Sequence, residues 1–447
     1  MDESRKLGTE AIGRLLLKFS IPAIIAMVVN AIYNVVDRAF VGKEVGNLGL
    51  AGITISFPIM ILLMAFGMLI GIGGSTLISI KLGEGNKTEA EHVLLNGVLL
   101  LAGGSVIIGI LFTVFMTPLL TLFGASSDVL PYASEYLSII FKGVVFQALS
   151  FGMNNYIRAE GNPKVAMITM LLGAISNIIF DYIFIKIMGM GLTGAALGTI
   201  IAQAISAAWI FRYYLSGNSV LKLHLKDLKL KMEYVKKINQ FGMPACLMQV
   251  AAALVVVILN NRLYLYGGDR AISAYGIINS AAMMILMPIF GISQGVQPII
   301  GYNFGAKQFH RMKEAVVKGM IFATIIVLVG WTTTRIWPSN IINVFIKDDL
   351  ELMNISLVAM KLQLLAFPII GFQIIGSSYF QAVGKFKEAT FLSLSRQLLI
   401  LVPAIYFFSY KYQLSGVWMA GPVADSVSAL FTIVLLGKEL KMLPKEV

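Results

Sequence analysis

Asn177 and Asp181 stand four residues apart in a long apolar run, within Gly173-Ala-Ile-Ser-Asn-Ile-Ile-Phe-Asp-Tyr-Ile-Phe-Ile-Lys186. That spacing puts both side chains on one face of a helix. A carboxylate inside a membrane helix costs roughly 2.5–3.5 kcal/mol at the bilayer centre on insertion scales, and less near an end. Together the pair offers a charged oxygen and a neutral amide oxygen, the hard donors that an alkali or alkaline-earth cation takes. A buried carboxylate is also a place for a proton. Asp37, at the end of the first apolar run, and Asp425, in the last, are the other acids that fall inside such runs.

Depth brings some of these together. With the fifth apolar run leading outward, Asp181 lies ~5 residues, or ~7 Å, short of Lys186, and Asn177 is one turn deeper. The sixth run leads back in, and Thr199 is ~8 residues, or ~12 Å, below Gly191. Asp37 precedes the Gly42-Lys43 loop at a similar depth. Asp37, Asn177, Asp181 and Thr199 therefore form a candidate cation site, for Na⁺ or for a proton. Each alone could simply be a hydrogen-bonded residue holding helices together; the set of four carries the functional reading. Asn30, Tyr33, Asn34, Met64, Met68, Gln147, Met153 and Asn154 are candidates for lining a substrate cavity, since polarisable methionines adapt to varied apolar ligands. Amides that bridge helices and ordinary core methionines would look the same.

The elements that must position these residues are membrane helices. Of 447 residues, 57% are apolar and 13% charged, which excludes an ordinary soluble domain. The net charge of +12 sits mostly in short loops, where it reports orientation rather than nucleic-acid binding. One cysteine, Cys246, and three histidines exclude a disulfide within the chain and a Cys/His metal site. The basic N-terminal stretch lacks a cleavable signal pattern, so the first span is expected to be retained. No Gly-x-Ser-x-Gly elbow, phosphate loop or His-Glu-x-x-His is expected, so the chain reads as no enzyme and needs no cofactor beyond a coupling ion. Gly71-Ile-Gly73-Gly74 loosely matches a nucleotide-binding turn but lies in a span, where glycines let helices approach closely.

Apolar windows long enough to cross about 30 Å fall near 15–40, 50–79, 92–116, 133–157, 165–187, 192–214, 240–265, 272–301, 315–337, 353–380, 388–409 and 414–436. With the N-terminus inside, 25 basic residues fall on the cytoplasmic side, Arg396 among them, and eight on the other. That bias predicts both termini cytoplasmic, in a multi-pass protein of the plasma (cell inner) membrane. Lys142 and Lys361 fall within spans. The longest loop, about 216–239, alternates Lys with Leu over Leu221 to Lys237. It reads either as a linker or as a surface for anionic lipid.

The halves repeat. Phe19-Ser-Ile-Pro22 and Phe241-Gly-Met-Pro244 are 222 residues apart, as are Gly73 and Gly295, Gly83 and Gly305, and Gly194 and Gly416. The expected fold is all-α: twelve transmembrane helices in two pseudo-symmetric six-helix bundles, 1–222 (N-lobe) and 223–447 (C-lobe), arranged in a V. Breaks or bends are expected at Pro22, Pro244 and Pro288.

These features are similar to the multidrug and toxic compound extrusion (MATE) family, and within it to the MepA-like and DinF-like branches. The resemblance spans essentially the whole chain. It rests on the Phe-x-x-Pro opening of each half, Tyr33-Asn34-Val-Val-Asp37, Tyr156-Ile-Arg-Ala-Glu-Gly-Asn-Pro-Lys164, Asn177-Ile-Ile-Phe-Asp181, Gly194-Ala-Ala-Leu-Gly-Thr199 and Gly416-Val-Trp-Met-Ala. It implies a secondary antiporter exporting amphipathic, mostly cationic organic compounds against Na⁺ or H⁺, with Asp37, Asn177, Asp181 and Thr199 as the N-lobe cation site. The resemblance is weaker to the NorM-like branch, whose seventh and tenth spans carry acids. Here those spans offer Asn260 and Asn261, and Lys361, Gln363 and Gln373. Expected partners are small organic cations and membrane lipid, not nucleic acid, with the chain as a monomer. Two rival readings are a lipid-linked saccharide flippase of related fold and a non-transporting membrane sensor or scaffold.

Overall fold

The computed structural model describes residues 3–223, 229–345 and 349–444; the side chains of residues 3, 34–39, 42–44, 46, 47 and 50 lie outside that description. Among the described residues there is no strand. A short α1 (Glu3–Thr9) leads into α2 (Ile12–Glu44), α3 (Gly46–Gly83) and α4 (Lys87–Val114). After α5 (Met116–Leu122), α6 (Leu130–Lys142) and α7 (Val144–Ala159) meet at 60° across Gly143. α8 (Pro163–Asp181) runs on as a π-helical turn, Tyr182–Ile187, before α9 (Gly191–Leu215). α10 (Met232–Gly305) is followed by α11 (Phe309–Ile336), α12 (Pro338–Asn343) and the bent pair α13 (Leu350–Gln363) and α14 (Phe367–Ala382), at 51°. α15 (Phe386–Leu394) continues through a second π-helical segment, Ser395–Leu401, into α16 (Val402–Met442).

Eight of these stretches are long and apolar enough to cross a membrane, and counting each bent pair as one span gives ten. Two of the eight are double. Met232–Gly305 reverses at Gly268 (φ 59°), and Phe386–Met442 at Gln413 (φ 50°). Each half exceeds the ~20 residues a crossing needs, so the described residues supply twelve segments of crossing length. Starts follow local chemistry. The Asn86 side chain accepts the Glu89 amide at 3.2 Å to cap α4, and Asp349 accepts the Leu352 amide at 3.0 Å to cap α13.

No break in the helix falls at any of the three prolines. α2 runs through Pro22, and α10 continues through Pro244 and Pro288 with its one non-helical residue at Gly268. The sharp bends sit instead at Gly143 and at the 364–366 turn, in the fourth and tenth spans. Proline removes one hydrogen bond without ending the helix, whereas a residue with positive φ ends it, as at Gly268 and Gln413.

The internal repeat is written into the backbone. Positive-φ residues recur 222 apart as Gly85 (75°) with Lys307 (57°) and Gly191 (56°) with Gln413 (50°), and 223 apart as Gly161 (104°) with Gly384 (74°). By packing, the chain divides into two compact units. One comprises Met1–Glu10, Ile25–Cys246 and Gly301–Lys307; the other comprises Ala11–Ile24, Leu247–Ile300 and Gln308–Val447. Repeated glycines explain the division. In the first unit a Cβ on Gly73 would meet the Ile238 carbonyl oxygen at 2.0 Å, and one on Gly242 would meet that of Leu69 at 1.7 Å, so the seventh span opens against the second. In the second unit Gly291 and Gly295 lie against the backbone of Ile24 and Ser20, so the first span opens against the eighth.

The long loop is stitched to the first unit. Leu221 is fully buried in its core with Leu223. The Lys222 amide donates to Glu91 Oε1 (3.0 Å) and the Lys231 amide to Asn96 Oδ1 (2.8 Å). Both leucines therefore face protein; residues 224–228 of the stretch lie outside the described residues.

Candidate cation site

α8 and α9 are held at close range by small residues on α9. A Cβ on Gly194 would meet the Phe184 backbone at 3.0 Å, and one on Gly198 would lie 2.3 Å from Asp181 Oδ1. Gly173 on α8 faces Ser206 in the same way, and the Ser206 hydroxyl donates to the Thr169 carbonyl at 3.2 Å. Gly194 and Gly198 form a small-xxx-small pair, the spacing that lets two membrane helices approach closely. Asp181 thus ends α8 against a helix face with no side chain in its way, and the backbone loosens into π-helical geometry on the next residue.

Asp181 is fully buried and Asn177 nearly so. The Asn177 Nδ2 donates to Asp181 Oδ1 and to Thr199 Oγ1, each at 3.4 Å. Thr199 donates its own hydroxyl hydrogen to the Ala195 carbonyl at 3.0 Å, which turns a lone pair toward Asn177. Asn177 Oδ1 is buried without a hydrogen bond. An unsatisfied buried oxygen beside a buried carboxylate is costly unless something electropositive serves it. The donor set, a carboxylate, an amide oxygen and a hydroxyl, fits an alkali cation. Three of the four predicted residues are therefore brought together; the side chain of Asp37 lies outside the described residues.

The cavity candidates differ in burial. Met153 is fully buried in the first unit's core, and the buried Asn154 bridges α7 to α8 by donating Nδ2 to the Ala166 carbonyl at 2.8 Å. Met64 is exposed, while Asn30, Tyr33, Met68 and Gln147 are half-buried. The Asn34 side chain lies outside the described residues. Lys142 and Lys361 are exposed close to the bends of the fourth and tenth spans, and the Lys361 carbonyl accepts from Arg335 Nη2 at 2.8 Å. Gly291-Ile-Ser293-Gln-Gly295 has the letters of a nucleophile elbow, but it lies mid-helix, with Ser293 Oγ 2.6 Å from Ser378 Oγ and both glycines against a neighbouring helix.

Sequence reasoning missed three residues here. Gly198 makes room for the carboxylate, and the Gly-x-x-x-Gly spacing was the signal available. Glu160, in the turn after α7, is fully buried and accepts the Ser219 hydroxyl at 2.6 Å and the Leu221 amide at 3.3 Å. Arg396, expected among the cytoplasmic loop charges, lies inside a span and donates Nε to Asp425 Oδ1 at 2.6 Å.

A twelve-span helical protein with an internal repeat and a buried carboxylate–amide–hydroxyl cluster is built as a membrane transporter. The MatE family model matches residues 22–183 and again 244–407, one match per repeat, and the chain belongs to that family. It is 28% identical over 430 residues to the multidrug export protein MepA of Staphylococcus haemolyticus strain JCSC1435, covering 95% of this chain and 93% of that one. It is 26% identical over 427 residues to MepA of Staphylococcus aureus strain NCTC 8325, again covering 95% and 93%. Among solved structures it superposes on the MATE multidrug transporter DinF-BH, with TM-score 0.90, 40% identity and 97% coverage of both chains. A MATE structure in a bent conformation, at 23% identity and TM-score 0.93, shares the fold.

Proposed function

We propose that this chain is a secondary active exporter of amphipathic, mostly cationic compounds, residing in the plasma membrane with both termini cytoplasmic. It works by antiport against Na⁺ or H⁺ bound at Asp37, Asn177, Asp181 and Thr199. The names of its MepA relatives and the multidrug transporter it superposes on support the export half of this reading. The single observation that carries the coupling half is the buried Asn177 Oδ1, without a hydrogen bond, one turn from the buried Asp181.

The chemistry follows from the amide. Asn177 Nδ2 donates toward both Asp181 and Thr199. A half-turn of the amide exchanges nitrogen for oxygen, and the carboxylate, the amide oxygen and the Thr199 oxygen then face a common point. A cation there neutralises a buried charge and uses every donor. A proton on Asp181 neutralises the charge and makes the carboxyl a donor that can serve Asn177 Oδ1, but it gives the Thr199 oxygen no part, so the full set of neutral donors favours Na⁺. Either ion shifts the conformational equilibrium by its differential affinity for the two states of the transporter.

The test is dye efflux from liposomes under separately clamped Na⁺ and pH gradients. Asp181→Asn should lose uphill transport, and Asn177→Ala and Thr199→Ala should weaken the Na⁺-driven component. Parental uphill transport by Asp181→Asn would remove the site from the coupling mechanism. Transport that survives Asn177→Ala and Thr199→Ala intact, yet is lost in Asp181→Asn, would replace Na⁺ by a proton. Dye left unmoved under both gradients, with a labelled polyisoprenyl lipid crossing instead, would support the flippase reading.

A further inference from the structure

The second unit contains an ion pair deep in the membrane. Arg396 lies ~15 Å along the half-span that starts at Phe386, and Asp425 ~17 Å along the half-span that follows Gln413. Both depths are well inside a hydrocarbon core of about 30 Å. The Asp425 side chain is 5% exposed and that of Arg396 33%. Tyr275, within electrostatic reach of Arg396, stacks on the buried Trp418. One turn past Asp425, Ser428 accepts from Gln373 Nε2 at 2.7 Å. An aromatic pair and an already hydrogen-bonded hydroxyl thus stand near the ion pair. Among the described residues, Asp425 is the one acid deep within the spans of this unit; Glu314, Glu388 and Glu439 stand near helix ends, and Asp269 beside the Gly268 break.

The buried acids of the two units have different hydrogen-bond donors beside them. Asp181 is addressed by an amide that also reaches a hydroxyl, whereas Asp425 is addressed by a guanidinium. A guanidinium carries the same charge as Na⁺ and is fixed to the chain, so it meets the acid at an effective concentration no solute ion reaches. Desolvation makes an uncompensated carboxylate at this depth very unfavourable, and a partnered one tolerable.

We propose that Arg396 is a tethered counter-cation that permanently fills the ion position at Asp425, so that the C-terminal unit takes up no coupling ion. This rests on the antiport reading above and deepens it: the ion count per substrate is set in the N-terminal unit alone. Arg396 acts through Asp425 and is a positioning residue. Its loss leaves Asp425 an uncompensated acid that must recruit an ion from solution.

The experiment is a reversal-point measurement in liposomes. A fixed gradient of a cationic dye is opposed by graded Na⁺ and pH gradients at clamped membrane potential, and the null point gives the ions exchanged per dye. Asp425→Asn is expected to keep the parental null point. Arg396→Gln should move it toward a larger ion count, the double variant Arg396→Gln/Asp425→Asn should return it, and Arg396→Lys should stay parental. A shifted null point in Asp425→Asn alone would overturn the proposal, and so would an unmoved one in Arg396→Gln. If Arg396→Gln fails to insert, Asp425→Asn and Arg396→Lys decide, both parental in support and either one shifted against. Asp181→Asn runs in parallel: if it alone keeps uphill transport, the N-terminal coupling reading falls while the comparison at Asp425 still stands.

Discussion

Glu160 gives the most quantitative expectation. It lies in the turn after α7, outside the spans, and its burial pushes the carboxyl up from its ordinary 4.5 to about 7. Hydrogen bonds from Ser219 and the Leu221 amide, with the nearby Tyr213 hydroxyl and Val220 amide, oppose that rise without cancelling it. Oε2 accepts from Ser219 and Leu221, while Oε1 is buried without a hydrogen bond. Tyr213 and Tyr214 of α9 are the titratable side chains that face it. Each tenfold change in proton affinity is worth roughly 1.4 kcal/mol, so the buried charged form costs about 3 kcal/mol relative to an exposed one. The sign follows from the raised value. Below about 4.5 the group is neutral whether the turn is closed or open, and no cost arises. Between 4.5 and about 7 the closed turn holds a proton that the open one releases, so stability falls as pH rises, and above about 7 the whole cost is felt. The contact that yields is the docking of the 216–223 segment through Ser219 and Leu221. Hydrogen exchange at the Leu221 amide, corrected for intrinsic pH dependence, should show protection falling between pH 5 and pH 8 by up to about two orders of magnitude. Glu160→Gln keeps an acceptor for Ser219 and Leu221 without the charge. It should exchange at a corrected rate independent of pH, and at pH 8 be better protected than the parent. Parental protection that rises with pH would mean that the charge-assisted bonds outweigh burial, and would refute the reasoning.

Three further outcomes follow from packing. Gly198→Ala places a methyl 2.3 Å from Asp181 Oδ1 and should lower thermal stability by about 1–3 kcal/mol while reducing Na⁺-driven efflux; unchanged efflux would separate Asp181 from coupling. Gly242→Ala meets a backbone oxygen at 1.7 Å, which no rotamer change relieves, so a melting temperature close to the parent's would contradict the close packing of the second and seventh spans. Gln413→Gly at φ 50° removes backbone strain of about 1–3 kcal/mol and should raise the melting temperature, whereas the same substitution at the helical Gln297 should lower it.

What was legible in the chain was whatever depends on one helix at a time. The phase of Asn177 and Asp181, the depth of Thr199, the number of crossings and the repeat all follow from spacing along single helices, and the structure keeps them. What was hidden depends on which neighbour a residue meets. Arg396 follows Lys385 and Lys387 closely enough to pass for a loop charge, because a continuous helix leaves no mark in the sequence where the aqueous face ends. Only the position of Asp425, 29 residues on, gives its charge a reason to be inside. Glu160 reads as a polar turn residue until the linker folds back over it. Gln413 and Lys307 hold left-handed positions that glycine holds in the other repeat, so the turn was visible only by comparing the halves. Buried charge in this protein is therefore readable first as a cost and only afterwards as a role. The cost follows from depth along one helix, and the role follows from the partner: amide and hydroxyl at Asp181, guanidinium at Asp425, linker hydroxyl and amide at Glu160. A carboxylate stands in three different settings because three different neighbours answer it.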